Sequence, residues 1–321
     1  MASVVKQAAR IPAADLESFT ECLQGSRRIL ALLGAGISAA SGLPTFRGAG
    51  GLWRSFDATE LATPEAFEDN PGLVWQFYNY RRHMALQAQP NKAHYALAEM
   101  SRKNKDFITL SQNVDGLSQR AGHPMEQLKL LHGSLFNIKC TSFYCDYTRT
   151  NDFTDPIVPS LGIPQKELFP AASGEDSSEV ASAEQQFKLA NEVDISDPSN
   201  PLPELSADNL PKCPKCNGLL RPGVVWFGEP LPRNTLDYID EWIKSEPVDL
   251  MLVIGTSSSV YPAAGYTDVA RENGARVAVI NMDPNDVAGK RSKGVGKGDW
   301  FFQGDASVIV PEILKGVIGE I

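Results

Sequence analysis

No run of apolar residues in this 321-residue chain approaches the roughly 20 that a membrane-spanning helix needs, so no membrane partner is expected. The opening stretch from Met1 to Pro12 carries Lys6 and Arg10 without an acid, but it lacks the apolar core of a secretory leader. The chain is therefore expected inside the cell, in the cytoplasm or nucleus, with a mitochondrial address left open. Basic excess is missing too: 30 Lys and Arg stand against 39 Asp and Glu, a net charge of −9. Most of that charge is local. Residues 171–210 hold nine acids and one Lys, which leaves the rest of the chain nearly neutral. A neutral body with an acidic insert has no clustered basic face, so direct nucleic-acid binding is not expected. Cysteine is limited to five residues, four of them in two close pairs, and without a secretory leader such pairs read as metal ligands rather than disulfides. No internal repeat is visible, and a monomer is expected.

What the chain does contain is an alternation of short apolar runs and helical periodicity. Residues 14–25 read as a helix ending near Gly25, and Arg28-Ile-Leu-Ala-Leu-Leu33, closed by Gly34, reads as a buried strand. Helices are predicted over 64–69, over 71–86 with Pro71 in the first turn, and over 92–103, where Ala93, Leu97 and Met100 share a face. Further strands are predicted at 107–110, 248–254 and 276–280, with helices at 262–273 and 306–318. This order predicts an α/β fold, a Rossmann-like doubly wound parallel sheet covered on both faces. Residues 151–210 break the pattern. Rich in Pro, Ser, Ala and acid, they are expected to be disordered or a peripheral insertion. Cys22 stands alone in the first helix and is expected to be a small buried core residue.

Two local patterns carry chemistry. Gly34-Ala-Gly36-Ile-Ser-Ala39 follows the first strand directly, as a dinucleotide-binding turn does. Gly34 would permit the tight turn, Gly36 the approach of a pyrophosphate, and Ala39 the close packing of a helix whose N-terminus faces the phosphates. The second pattern is Cys140-x4-Cys145 with Cys213-x2-Cys216, which fits a tetrahedral zinc site of four thiolates. Four thiolates complete the shell, so one zinc per chain is expected in a structural role. The acidic insert lies between the pairs and should extend from the zinc module.

The wider context narrows the reading. The chain runs Gly34-Ala-Gly-Ile-Ser-Ala-Ala-Ser-Gly-Leu-Pro-Thr-Phe-Arg-Gly48, then Gly51-Leu-Trp53, Ser111-Gln-Asn-Val-Asp115, Leu131-His-Gly133, Val225-Trp-Phe-Gly-Glu229 and Gly255-Thr-Ser-Ser258. Together and in this order, over about 28–149 and 211–305, these motifs resemble the sirtuin family of NAD-dependent protein-lysine deacylases. The first cysteine pair departs from the family's commonest spacing, having four intervening residues instead of two.

The resemblance implies that NAD is a co-substrate, cleaved at its nicotinamide–ribose bond as the amide oxygen of an acylated protein lysine attacks the ribose. The products would be nicotinamide, 2'-O-acyl-ADP-ribose and free lysine. It assigns His132 as the general base that takes a proton from a ribose hydroxyl, a role open to an imidazole that is neutral near pH 7. Asn113 and Asp115 match the residues that hold the nicotinamide amide and constrain the ribose, and Gln112 one that contacts the ribose. Phe46 and Arg47 match a cofactor loop whose aromatic ring shields the activated ribose from water. The cofactor set further includes Gly34, Ala35, Gly36, Ser38, Ala39, Thr45, Trp53, Gly255, Thr256, Ser257, Asn281, Asp283 and Ala306. The peptide is expected to add as a strand along Val225, Trp226, Phe227, Gly228 and Glu229. In this arrangement 1–62, 105–134 and 217–321 form the NAD-binding large domain. Residues 63–104 form a helical module of the small domain, and 135–216 form its zinc module.

Tyr78-Asn-Tyr-Arg81 lies in the predicted 71–86 helix, and an i,i+3 pair can point both tips the same way. It resembles the signature of the sirtuin branch that removes succinyl, malonyl and glutaryl groups. There the Arg makes a charge-assisted bond to the distal carboxylate and the Tyr hydroxyl adds another. Ala62 matches the small residue that widens that branch's pocket. A plain deacetylase is the alternative within the family. A nicotinamide dehydrogenase would share the glycine turn but leave the His132-Gly133, Gln112–Asp115 and paired-cysteine motifs without a role. A catalytically silent NAD- or zinc-binding adaptor would not require Asn113, Asp115 and His132 together.

Overall fold

A computed structural model describes residues 11–45, 51–166, 191–286, 296 and 298–321. In chain order, α1 (Ala13–Gly25) leads into β1 (Ile29–Leu33), followed by the hairpin β2 (Leu52–Trp53) and β3 (Phe56–Asp57). Four helices come next: α2 (Ala58–Leu61), α3 (Pro64–Asp69), α4 (Pro71–Gln87) and α5 (Lys92–Lys103). Then come β4 (Phe107–Ser111), α6 (Leu117–Arg120), β5 (Leu128–Leu130), β6 (Gly133–Cys140), β7 (Thr148–Arg149) and β8 (Leu220–Val224). The chain closes with α7 (Arg233–Ser245), β9 (Leu250–Ile254), α8 (Gly265–Glu272), β10 (Arg276–Asn281), β11 (Trp300–Gln303) and α9 (Ala306–Ile318).

The apolar runs become the centre of one six-stranded sheet, ordered β11-β10-β9-β1-β4-β5, with every neighbouring pair parallel. Strands β1, β4 and β9 are buried along their whole length, as expected of a parallel sheet covered on both faces. Strand periodicity sorts the residues of β1. Ile29, Ala31 and Leu33 face a core built from α1, α5 and α9, and Leu30 and Leu32 face one built from α7 and α8. The strand order reverses beside β1, with β4 and β5 on one side and β9, β10 and β11 on the other. This is the expected doubly wound fold. Strands β5 and β11 and helix α7 join it without having been predicted.

A second, antiparallel sheet, β7-β6-β8, packs with α2, α3 and α4 around its own core, which includes Trp75, Phe77, Phe136, Leu220 and Trp226. Helix α4 begins where Asn70 accepts the Leu73 N–H at 2.9 Å, with Pro71 in its first turn.

The expectation for 151–210 is corrected where it can be followed, since 167–190 lie outside the described residues. Within it, residues 151–166 and 191–210 are described, and they fold against α4. Ile157, Leu161, Ile195 and Leu210 are buried in the second core. The segment is also held by donors from elsewhere in the chain. Gln76 gives to the Pro203 carbonyl (2.7 Å), Asn79 to Leu161 (2.9 Å), and Arg82 to Asp152 (2.8 Å) and Thr154 (3.0 Å). Arg54 reaches the Ile195, Pro198 and Asn200 carbonyls. Cys22 is also corrected: it is half-buried against the first core, not fully inside it. Among the described residues no helix is long and apolar enough to cross a membrane.

Candidate active site

The C-terminal ends of β1, β4 and β9 bring three turns together where the strand order reverses, the place at which open parallel sheets take ligands. After β1, a Cβ on Gly34 would stand 2.5 Å from Thr256 Cβ, and one on Gly36 2.7 Å from Gly255 Cα. The first demand on both glycines is thus the interlocking of two protein turns, sealed by the Gly36 N–H to the Gly255 carbonyl at 2.8 Å. Residues Ala35–Ser41 wind as a 3-10 helix of seven residues, ended by Gly42 at φ 86°, where the glycine signature predicted the start of an α-helix. Ser38 is buried, and Ala35 and Ala39 lie in the same turn of chain.

After β4, Asn113 Nδ2 donates to the Gly34 carbonyl (3.1 Å) and to Ser38 Oγ (3.3 Å). The Ser38 hydroxyl donates to Asp115 Oδ2 at 2.7 Å. Behind it stands His94, a residue the sequence reading missed. Burial pushes His94 down to about 4, so it is neutral. Its Nδ1 accepts the Asn91 N–H at 3.2 Å, which leaves Nε2–H to face Ser38 Oγ at 3.4 Å. The only sequence signal was an Asn91-x-x-His94 capping box, which points to helix structure rather than chemistry. Gln112 Nε2 bridges to Thr256 Oγ1 at 3.1 Å.

His132 follows β5. Its Nδ1 lies 3.0 Å from the Gln112 carbonyl, and since a carbonyl only accepts, Nδ1 carries the proton and Nε2 the free lone pair. Burial pushes its pKa below the ordinary range, against a smaller upward pull from that bond. The imidazole is neutral near pH 7.

The remaining cofactor candidates divide. Asn281 Nδ2 binds the Thr256 carbonyl (2.9 Å) and Asp286 (3.2 Å), which ties the end of β10 to the Gly255 turn. Ser257 Oγ meets Ser259 Oγ at 2.7 Å on the exposed side of that turn. Asp283 accepts from Asn285, and Ala306 is buried at the start of α9. Thr45 is half-buried at the edge of the described chain, while Phe46 and Arg47 fall outside the described residues. Trp53 sits in the second core against Phe77 (centroids 5.6 Å apart), its indole N–H buried without an acceptor among the described residues.

On the substrate side, Val225 N–H donates to the His132 carbonyl and Phe227 N–H to the Ala62 carbonyl, both at 2.9 Å. The segment 225–229 thereby joins the candidate base to the candidate acyl pocket. Glu229 turns inward: its carboxylate binds Arg221 and the Trp226 N–H. Ala62 is 7% exposed and Tyr78 2%. Burial pushes the Tyr78 phenol up to about 12, so it remains protonated. Arg81 is half-buried beside it. Burial lowers its pKa, and the opposing pull comes from Tyr78 and Asp115.

The four cysteines converge, their sulfurs all within 4.8 Å of one another. Cys140 Sγ to Cys216 Sγ is 3.5 Å and Cys145 Sγ to Cys213 Sγ 3.7 Å. These separations are far too long for disulfides and close to the edge of about 3.8 Å expected of a tetrahedron with Zn–S of about 2.3 Å. The unusual x4 loop closes on itself through the Cys145 N–H to the Ser142 carbonyl (3.1 Å) and points the Ser142 N–H at Cys140 Sγ (3.4 Å). Its extra residues, Phe143 and Tyr144, turn out into solvent. The donor set and spacing fit zinc.

A reversing parallel sheet with interlocked glycine turns, a neutral half-buried histidine and a four-cysteine centre defines a dinucleotide-site protein with a structural metal module. A family model described as Sir2 family matches residues 34–262. An NAD-dependent protein deacylase of Candida albicans is 47% identical over 319 residues, with 96% of this chain and 99% of that protein covered. The mitochondrial NAD-dependent protein deacylase sirtuin-5 of Xenopus tropicalis is 40% identical, covering 85% of this chain and 78% of its own length. The solved complex of a Sir2 homologue with NAD superposes with a TM-score of 0.66 at 32% identity, over 97% of this chain and 95% of that one. The chain belongs to the Sir2 family.

Proposed function

We propose that this protein removes acyl groups from protein lysines with NAD as co-substrate, and that acyl chains ending in a carboxylate (succinyl, malonyl or glutaryl) suit its pocket best. The deacylase names of the two relatives and the NAD complex of the structural neighbour support the first part. When bound, NAD supplies an activated ribose carbon. Asn113 and Asp115 would orient the nicotinamide end. His132 Nε2 would accept a ribose hydroxyl proton, and its burial keeps that lone pair free at neutral pH. The cysteines would hold a structural zinc. The proposed large domain is 1–62, 105–134 and 217–321, with 63–104 and 135–216 forming the small one. The proposed protein works as a monomer, needs no nucleic acid, and takes acylated lysines as its partners. The mitochondrial name of the Xenopus relative supports that setting among the intracellular ones.

One observation carries the acyl preference: the Arg81 guanidinium sits half-buried beside the protonated Tyr78 phenol and within the field of Asp115, and Tyr78 shares its core cluster with Ala62. A carboxylate entering this pocket loses water and must meet a charge there. Truncating one partner of such a pair costs about 2–5 kcal/mol. Arg81→Met should therefore lower kcat/KM for a succinyl-lysine peptide, relative to a matched acetyl peptide, by roughly 30- to several-thousand-fold. Equal losses on both peptides would reduce the reading to a plain deacetylase. Nicotinamide release without NADH absorbance separates either enzyme from a dehydrogenase.

A further inference from the structure

Trp226 belongs to the segment proposed for the peptide, but its ring faces the other way, into the second core, 3% exposed. Its indole N–H donates to the Tyr78 hydroxyl oxygen at 3.0 Å. An indole N–H can only donate, whereas a phenol has one proton and two lone pairs. Tyr78 is thus made the acceptor on its Trp226 side, and its own proton remains to be given elsewhere. Among the described residues it has no acceptor. A carbonyl or carboxylate in place of the indole would have consumed that proton.

The indole is itself fixed. The Arg221 guanidinium lies 3.2 Å from its ring centroid, and Phe67 packs on it at 5.2 Å. Glu229 takes Arg221 with both oxygens, at 2.5 and 2.9 Å, and one of them also accepts the Trp226 backbone N–H at 2.9 Å. Arg221 donates as well to the Val224 carbonyl at 3.0 Å. Backbone, ring and guanidinium form a closed loop, and the indole N–H cannot swing away from Tyr78 without breaking it.

We propose that Trp226, held by the Arg221–Glu229 pair, is a positioning residue for acyl selectivity: it sets the hydrogen-bond polarity of Tyr78, so that the phenol presents its proton to the carboxylate of an acidic acyl chain. The inference rests on the acidic-acyl reading above. It separates donor supply by Trp226 from the charge supplied by Arg81.

The test is the ratio of kcat/KM for succinyl- over acetyl-lysine peptides, from which any general effect on the peptide divides out. Trp226→Phe keeps an aromatic ring and removes the N–H. It should lower the ratio by roughly 3- to 10-fold, the loss of one neutral hydrogen bond. In a Tyr78→Phe background the same change should lower it no further, because the hydroxyl it orients is gone. If the phenylalanine leaves the fold loose, 3-benzothienylalanine at position 226 keeps the bicycle and lacks the donor, and the same pair of ratios is read from it. An unchanged ratio would overturn the inference, as would equal drops in both backgrounds, provided Arg81→Met still collapses the ratio. A wild type with no acidic preference, and an Arg81→Met ratio that does not move, would instead overturn the underlying reading and this inference with it.

Discussion

Replacing His83 by Gln removes a charge from the seam between α4 and the acid-rich segment. In the native protein His83 Nδ1 lies 2.7 Å from Asp155 Oδ2, and Nε2 2.9 Å from Glu192 Oε2. Both ring nitrogens can donate only in the imidazolium. The bond to Asp155 is the main force raising the His83 pKa, and burial opposes it. A pKa raised in the folded state stabilises the fold fully below the ordinary value of about 6.5, and that contribution disappears as pH rises through the raised value. Charge-assisted bonds contribute about 1.5–3 kcal/mol each. Both carboxylates keep about a fifth of their surface in water, at 19% and 20%, so a net contribution of about 1–3 kcal/mol is expected. The local reporters are two amides that close the arms of the segment, Lys166 N–H to Asn191 (2.7 Å) and Val193 N–H to Pro164 (2.8 Å). At pH 6, His83→Gln should lower their exchange protection by about 5- to 150-fold relative to wild type. The gap should narrow steadily at higher pH. A gap of constant size from pH 6 to 9, or one that widens, would refute the clasp.

Three further outcomes are expected. His132→Ala should reduce turnover by about 10²–10⁴-fold on every acyl peptide while NAD still binds, as read by calorimetry, and near-normal turnover would remove His132 as the base. Purified protein should carry one zinc per chain, and Cys216→Ser should lose it and expose the β6–β8 region to protease; active protein without zinc would contradict this. Ile195→Ala empties a side chain that is 4% exposed, and should cost about 2–5 kcal/mol in a urea titration, where a truly peripheral segment would show almost none.

The large sheet was legible because two of its central strands, β1 and β9, are apolar along their whole length. Ile29–Leu33 has no polar residue to confuse the pattern, and its flanking glycine marks the turn. Strand β5 has three residues, too few for any period to register. Helix α7 did carry a signal in Leu236, Ile239 and Ile243, spaced for one face, but it went unread. The misreading of 151–166 and 191–210 has a physical cause. That segment contributes mostly carbonyls to its own anchoring, from Asp152, Thr154, Leu161, Ile195 and Pro203. The donors, Arg54, Gln76, Asn79 and Arg82, lie far away in the chain. Carbonyl acceptance leaves no mark on composition. At the candidate site, Asn113, Asp115 and His132 could be proposed because each stands in a motif of neighbours. A residue whose site contact lies far away in the chain was not visible: His94 meets Ser38 across 56 residues.

Helix α4 links these two halves of the molecule. It buries Gln76, Asn79, Arg82 and His83, four polar side chains in 17 residues, an expensive choice where apolar residues would pack as well. Apolar packing tolerates rotation and sliding of a helix, whereas hydrogen bonds with fixed partners define its angle about its own axis. Successive residues project about 100° apart on a helix, so Tyr78 is fixed by the bonds of Asn79, and Arg81 by those of Arg82. Arg82 has no exposed surface and reaches the carbonyls of Leu135, Asp152 and Thr154. A pocket that pairs one guanidinium and one phenol with a short carboxylate chain depends on such an angle, because an ångström of misplacement can cost a hundredfold in rate. On the proposed acidic-acyl reading, the insertion would therefore act on the acyl pocket through the bonds of Asn79 and Arg82. Changes that loosen its carbonyls from Asn79 and Arg82 should lower the preference for acidic acyl groups without touching any residue that faces the substrate.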